Sequence, residues 1–227
     1  MRYHMLAPLV LLALGAMAIS MAHRPQRRVE VLLEQLRPKG RLGDTLFLPA
    51  TTEVEVNAEL DSMGSDAFAP LKYALHDGDD TIRFLAATQL GRMKDPRAAS
   101  ALMQSLSDRS VFVRERSIYA LGEIGDKTSL TQVIRFAADS NSLIRSAVAV
   151  TLGKMGRSEC LLPLSILLQD SSLSVRSRAA KSFGDLGDLR ALPILNKAAG
   201  LECDESIRQE VKVAIERLTS TRGNTHQ

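Results

Sequence analysis

Residues 170–195, DSSLSVRSRAAKSFGDLGDLRALPIL, decide the fold because their pattern recurs along the chain at a fixed step. Four segments align without gaps: TIRFLAATQLGRMKD (81–95), VFVRERSIYALGEIGD (111–126), SLIRSAVAVTLGKMG (142–156) and LSVRSRAAKSFGDLGD (173–188). An arginine recurs every 31 residues, an aspartate stands six residues before each arginine, and a glycine keeps the same step. Agreement across three columns identifies an internal repeat, which is typical of stacked helical or strand units.

The charged columns of this repeat predict a structural ladder. The arginines are Arg83, Arg114, Arg145 and Arg176, and Arg208 follows at a step of 32 residues. The aspartates are Asp77, Asp108, Asp139 and Asp170. We expect each arginine to pair with an aspartate at a neighbouring inter-repeat turn, because its fork of donors matches a carboxylate. Both columns follow the repeat itself, so we interpret them as structural rather than as a binding site.

Within one repeat the apolar spacing is helical. In the second segment, Val113, Ser117 and Ile124 belong to one face at three- and four-residue steps. Gly125-Asp126 then interrupts the pattern, and glycine suits the left-handed position that ends a helix. A second apolar helix follows from Leu130 onward. One helix pair cannot bury its apolar side alone, so we expect successive pairs to stack.

The repeat resembles the short HEAT-like repeat first described in phycobilisome lyases. The resemblance rests on Asp-x5-Arg, Ala-x-x-Leu-Gly-x-x-Gly-Asp and Ala-Leu-Pro-x-Leu, which the fourth unit matches most closely between Asp170 and Leu195. It covers residues 60–218. The resemblance implies an all-α, right-handed α-solenoid of about five helix pairs with a terminal helix, over residues 52–220. It says almost nothing about activity.

The flanks depart from the repeat, as terminal capping units do. Thr52-Glu53-Val54-Glu55 matches a capping box and predicts a first helix, followed by a partner helix from Phe68 to Leu75. Residues 23–51 are predicted to form a basic flank, a short helix at Val29–Leu36 and a spacer containing Pro and Gly. Residues 221–227 are predicted to be a frayed tail.

Residues 1–22 are predicted to be a signal peptide or a membrane anchor. Residues 5–22 form an 18-residue, nearly continuous apolar run, roughly 27 Å long as a helix and close to the hydrocarbon thickness of a bilayer. Arg2 precedes the run and Ala22 offers a cleavage site, which favours a cleaved signal. Three arginines within residues 24–28 favour retention. Both alternatives stay open, and we expect a chain that is membrane-anchored or exported to the cell envelope.

The basic charge of the chain belongs to this N-terminal segment. The whole chain carries 29 Lys and Arg against 26 Asp and Glu. Four of the arginines and none of the acidic residues lie in residues 1–28, so the predicted solenoid is close to neutral. Nucleic-acid binders carry their basic excess on the folded domain. We therefore expect no nucleic-acid partner.

The resemblance also raises two enzymatic alternatives. A di-iron hydroxylase built from similar repeats holds iron through His-Glu pairs on the first helices of its repeats. The equivalent positions here carry no His-Glu pair, and His76 is the one histidine within the repeats. Lyases that attach bilins share the repeat, but no further motif carries over. We expect a chain that is not an enzyme, without catalytic residues, metal or cofactor, and keep an enzyme of the lyase or hydroxylase type as the alternative.

The remaining candidate is the surface of the second helices, which commonly hold a partner in HEAT-like arrays. Tyrosine and arginine are side-chain types that anchor interfaces. The predicted partner-binding residues are Tyr73, Gln104, Gln132, Arg135, Ile166 and Lys197. The sequence therefore favours a non-catalytic protein–protein interaction scaffold or adaptor with a protein partner of open identity. An assembly factor for a membrane complex is a further alternative.

Overall fold

The structure is a computed structural model that describes residues 25–35 and 50–223. The apolar run at residues 5–22, and with it the predicted signal or anchor, lies outside the described residues. Within the described ranges every regular element is helical, and none of these helices is both long and apolar enough to cross a bilayer. The chain divides into two compact units, residues 1–86 and 87–227.

Within its described residues, 25–35 and 50–86, the first unit contains three helices and the beginning of a fourth. They are α1 (Pro25–Gln35), α2 (Ala50–Met63), α3 (Ser65–Ala74) and α4 (Asp80–Met93). Helix α1 packs on α2 and α3, and its Val29, Leu32 and Leu33 are buried. The capping box expected at Thr52 is wrong as a helix start, because α2 already begins at Ala50 and Thr52 lies inside it.

The second unit continues from within α4 as pairs of helices. Its further helices are α5 (Ala99–Ser105), α6 (Val111–Ile124), α7 (Lys127–Arg135), α8 (Ser142–Met155), α9 (Leu161–Leu167), α10 (Leu173–Leu186), α11 (Leu192–Leu201) and α12 (Glu205–Gly223). We call α6, α8, α10 and α12 the first helices, and α5, α7, α9 and α11 the second helices. The first helices pack on one another in chain order, and each second helix packs against the first helix that follows it.

The interior of the second unit repeats with the sequence. Leu90, Leu121, Leu152 and Phe183 follow one another at 31-residue steps, and all four are fully buried. Each lies on the face of its helix that points into the stack, where burial of a large apolar side chain contributes about 1.5–3 kcal/mol. The repeat therefore places one large apolar side chain per helix pair in a continuous core.

The glycine column allows the first helices to approach closely. A Cβ atom added at Gly153 would lie 2.7 Å from the Cβ atom of Ser182 and 2.9 Å from its Cα atom. A Cβ atom at Gly91 would lie 2.8 Å from Ala120. These separations are shorter than carbon atoms tolerate, so a side chain at either position would push neighbouring repeats apart.

A Gly-Asp step joins the two helices of a pair, as the sequence predicts. Gly125 ends α6 in the left-handed conformation, with φ of +68°. Asp126 then caps α7, and its carboxylate accepts hydrogen bonds from the backbone N–H groups of Thr128 and Ser129 at 3.0 and 3.2 Å. Lys94 stands at the corresponding turn after α4 with φ of +51°, although it has a side chain.

Candidate functional site

The aspartate and arginine columns build the turns between repeats. Each aspartate carboxylate accepts the backbone N–H two residues later at 2.8 Å, and each arginine donates from Nη1 to the carbonyl of its aspartate at 2.8–2.9 Å. The residues concerned are Asp77, Asp108, Asp139 and Asp170 with Arg83, Arg114, Arg145 and Arg176. Arg208 donates to the carbonyl of Glu202 from Nη2 and Nε, at 2.7 and 3.2 Å. These contacts close each turn within its own repeat.

Arg145 also reaches the next turn of the stack. Its Nε and Nη2 donate to the two carboxylate oxygens of Asp170 at 2.7 and 2.8 Å, and the two side chains are only 14% and 10% exposed. The hydrogen bond from Arg145 lowers the pKa of Asp170, and the same bond raises the pKa of Arg145. This forked ion pair has the geometry that the predicted ladder requires.

The ladder is not regular along the chain. Arg176 pairs with Glu202 at 2.9 Å rather than with an aspartate, because the last turn comes one residue later in the repeat. The backbone N–H of Asp204 is the main cause of the lowered pKa of Glu202. Arg114 has no carboxylate partner among the described residues. A 3-10 turn tightens the chain just before Asp139, the next aspartate, and the turn before Asp170 has none.

A second charged column lies near the C-terminal ends of the first helices and was missed by the sequence reasoning. It consists of Glu123, Lys154, Asp185 and Arg217, whose signs alternate along the stack. Lys154 pairs with Glu123, and Arg217 pairs with Asp185 at 3.2 Å. Exposed pairs of this kind contribute about 0–1 kcal/mol each. The column can be recognised in the sequence because the side-chain charge changes sign from one repeat to the next at this position.

The predicted partner-binding residues lie on the surfaces of both units. Tyr73 is an exposed side chain on α3 of the first unit. In the second unit the exposed members, one on each second helix, are Gln104, Arg135, Ile166 and Lys197. Gln132 is half-buried and accepts a hydrogen bond from Arg135 at 3.4 Å. The four exposed residues share one repeat position, so they define a single column on the second helices.

A groove of about 550 Å³ runs between the second helices α9 and α11. Helix α11 contributes Ile194, Ala198 and Leu201, which are spaced by four and three residues and so share one face. Lys197 lies beside them, and Leu168 lines the α9 side. The Arg176–Glu202 pair and Cys203 close the end of the groove where α11 turns into α12.

The two helices that form this groove carry exposed apolar side chains, which we call its rim. Leu162 and Ile166 on α9 are 70% and 59% exposed, and Leu201 on α11 is 70% exposed. Clustered exposed apolar side chains mark interaction surfaces, whereas single ones are ordinary. Ile166 was predicted, and Leu162 and Leu201 were missed. The spacing of Leu162 and Ile166, on the side of α9 opposite the buried Leu164, is a signal that sequence reasoning can use.

The second unit has further side chains that can titrate or react, and these do not gather into one site. Burial raises the pKa of Glu115 and of Tyr119 on α6, and the Arg116 guanidinium lies 5.7 Å from the centre of the Tyr119 ring. Cys160 is buried, which raises the pKa of its thiol, and Cys203 is exposed. Among the described residues no cluster of His, Cys, Asp or Glu is suited to hold a metal ion.

The stacked helix pairs and the groove between second helices define a helical-repeat protein of the α-solenoid class, as the sequence predicts. The sequence model for HEAT repeats matches residues 68–153 and 132–216, which together make up more than half of the chain. The chain belongs to the HEAT-repeat family. No curated protein matches the sequence significantly.

Solved structures share the fold at low sequence identity. The complex of CpcE and CpcF of phycocyanin lyase from Nostoc sp. PCC7120 matches with 21% identity and a TM-score of 0.56, over 66% of this chain and 98% of that one. A designed armadillo repeat protein in complex with the peptide (KR)4 matches with 17% identity and a TM-score of 0.55, over 86% and 99%. The karyopherin Kap121p, bound to the extreme C-terminus of the protein phosphatase Cdc14p, matches with 14% identity and a TM-score of 0.63, over 88% and 26%.

Proposed function

We propose that the chain is a non-catalytic scaffold or adaptor that holds a segment of another protein on its second helices. The groove between α9 and α11 carries this proposal. Its rim exposes Ile166, Leu162 and Leu201 to solvent. Beneath it lie the stacked first helices, which pack through the columns of buried apolar side chains. A rigid concave site with exposed apolar anchors and a few polar groups is the usual form of a recognition site.

The similar structures support the same class of function by analogy of fold. One is a complex of two proteins, one holds a peptide and one holds the terminus of a phosphatase. By this analogy the chain would hold a segment of another protein, and the identity of that partner stays open. The fold also occurs in a lyase, so the purification described below includes a readout for an enzyme.

We also propose that the scaffold acts at the cell envelope, anchored or exported through residues 5–22. The apolar run of these residues and the arginines that follow it support this placement. Fractionation of cells that express the tagged chain tests it. An anchored chain stays in the membrane pellet after alkaline extraction, and an exported one has lost its first residues by intact mass. A full-length chain in the soluble cytoplasmic fraction contradicts the placement.

Affinity purification of the full-length chain from gently solubilised membranes tests the scaffold function. We expect a stoichiometric protein partner with the parent chain and its loss with Ile166→Asp, because the charge removes an apolar anchor of the rim. Val54→Asp is the matched control, since it makes the same kind of change at an exposed aliphatic residue on α2 of the first unit, which carries no residue of the groove. Loss of the partner with both variants, or with neither, contradicts the site, and bound iron or pigment in place of a partner supports an enzyme.

A further inference from the structure

We infer that the partner segment is an extended acidic peptide, with an apolar residue between two acidic ones. The inference rests on the proposed function and adds the chemistry of the partner. Three observations carry it: the charge on the second helices, the lack of internal neutralisation of that charge, and the spacing of the exposed column.

The second helices of the second unit carry only positive charge. Helices α5 and α9 hold no charged residue, α7 holds Lys127 and Arg135, and α11 holds Lys197. None of the four helices contains Asp or Glu. The first helices differ, because α6, α10 and α12 hold both signs. Helix α8 holds only cations, and both are paired, Arg145 with Asp170 and Lys154 with Glu123. Positive charge without a carboxylate partner is therefore the feature that distinguishes the proposed binding face.

The rest of the second unit does not neutralise the three cations of this face. Among the described residues no carboxylate pairs with Lys127, Arg135 or Lys197, and the hydrogen-bond partner of Arg135 is the neutral Gln132. The carboxylates at the ends of the second helices make other contacts. Asp126 caps a helix and Asp139 accepts the backbone N–H of Asn141. Asp95, Glu159 and Asp188 pair with arginines of their own turns, and Asp170 and Glu202 pair with arginines of the preceding repeat. A ligand that neutralises the face must bring its own negative charge.

The exposed column sets the spacing of the ligand. Arg135, Ile166 and Lys197 occupy the same position on three successive second helices, in the order basic, apolar, basic. Adjacent packed helices are about 8–10 Å apart, and α7, α9 and α11 pack less closely on one another than the first helices do. The two cations are therefore separated by at least roughly 16–20 Å. An extended chain advances about 3.3 Å per residue, so two acidic residues at least about five or six positions apart would meet both cations while an apolar residue between them meets Ile166.

The groove provides the apolar contact next to the second cation. Ile194, Ala198 and Leu201 line it on the same helix as Lys197, and its volume of about 550 Å³ exceeds that of any single side chain. A branched or aromatic residue of the peptide can enter the groove while the neighbouring carboxylate contacts the Lys197 ammonium. A basic peptide would place like charges on this face, which weakens binding.

Selection from a random peptide library tests the inference on the full-length chain held in mild detergent. The probe is a phage-displayed library of random twelve-residue peptides, selected on the parent chain and on the variant Arg135→Glu/Lys197→Glu. We expect the parent to select peptides in which Asp or Glu flanks an apolar residue, and the variant to select basic ones. Lys212→Glu is the matched control, because Lys212 is an exposed lysine on the first helix α12. It should select the same peptides as the parent.

Binding of one selected acidic peptide, labelled with a fluorophore, then separates the inference from the proposed function. We expect Arg135→Glu/Lys197→Glu to weaken its affinity roughly tenfold or more, and added salt to weaken it as well. Uncharged or basic peptides that bind the parent and are lost with Ile166→Asp would overturn the acidic partner and leave the binding face intact. Peptides insensitive to Ile166→Asp, or no selected peptide at all, would overturn both. Binding to a second copy of the chain in place of a peptide would also overturn the inference.

Discussion

At the scale of single residues, Gly91 and Gly153 limit how closely neighbouring repeats can pack. Gly153 faces Ser182 so closely that the first carbon of any side chain would overlap it. Gly125 acts differently, because its contribution is a left-handed backbone at the turn rather than a close approach. The two glycines of the repeat therefore have separate physical roles, and substitutions at each report on a different feature.

We expect Gly153→Ala to lower the free energy of unfolding by about 1–3 kcal/mol, because the added methyl group forces two packed helices apart. The measurement is chemical denaturation of the full-length chain. Gly200→Ala is the matched control, since Gly200 is helical and has open space around its Cβ position. It should leave stability unchanged or raise it by about 0.5–1 kcal/mol. Equal effects of the two substitutions would show that the close approach has no energetic role.

Lys94 allows the reverse substitution, in which glycine replaces a residue with a side chain at a turn. It adopts a φ of +51° where the later repeats have glycine, and a residue with a side chain loses roughly 1–2 kcal/mol in that conformation. Lys94→Gly removes this strain and increases the freedom of the unfolded chain, so we expect a net gain of about 0.5–1 kcal/mol. Thermal unfolding measures it. A lower melting temperature for Lys94→Gly would contradict the strain.

At the scale of the helix pair, much of the structure follows from the sequence pattern. The helical spacing, the Gly-Asp step and the 31-residue period are local signals, and each predicts an element that the structure contains. Helix α2 begins at Ala50, two residues before the capping box that was expected to start it. Local signals thus predict helices well and their termini less well.

The partners of the arginines were less predictable than the helices. Every arginine in the column contacts its own turn, but whether it reaches the next one depends on the shape of the following turn. Arg145 pairs with Asp170, Arg176 with Glu202, and Arg114 with neither kind of residue among the described ones. Two irregularities coincide with the difference: a one-residue insertion, which places Arg208 at a step of 32 residues, and the 3-10 turn before Asp139.

The Arg145–Asp170 pair predicts a dependence of stability on pH. The folded protein holds the pKa of Asp170 below its ordinary 3.8, so the ionised carboxylate stabilises the fold. This stabilisation is present at neutral pH and is lost as the pH falls through the lowered pKa. We expect Asp170→Asn to lower the free energy of unfolding by about 2–4 kcal/mol at pH 7. The difference from the parent should shrink below about pH 4.

Denaturation of parent and variant across pH 3–7 measures this difference. Asp185→Asn is the control, because Asp185 forms an exposed pair with Arg217, and we expect a change of less than about 1 kcal/mol. A difference between the parent and Asp170→Asn that is small at neutral pH, or that grows as the pH falls, would contradict the role of the pair.

At the scale of the whole molecule, the sequence predicts the class of protein more fully than the site. Repetition identifies the fold because it appears in every repeat, whereas the groove depends on how one pair of second helices, α9 and α11, lies side by side. Its rim depends on which residues stay exposed when two helices pack, as Leu162 and Leu201 do. The partner-binding residues predicted from the sequence nevertheless include Ile166 and Lys197. Aligning the repeats identifies equivalent surface positions without any knowledge of how the helices pack.

Photocrosslinking in cells tests whether the second helices bind a partner protein. A photoreactive amino acid replaces Ile166 on the second helix α9 or, as control, the exposed Lys212 on the first helix α12. The account predicts one discrete protein adduct from position 166, lost when Arg135→Glu and Lys197→Glu are added, and none from position 212. Adducts from position 212 alone, or an adduct at 166 that persists after the charges are reversed, would contradict binding of a partner by the second helices in the manner proposed.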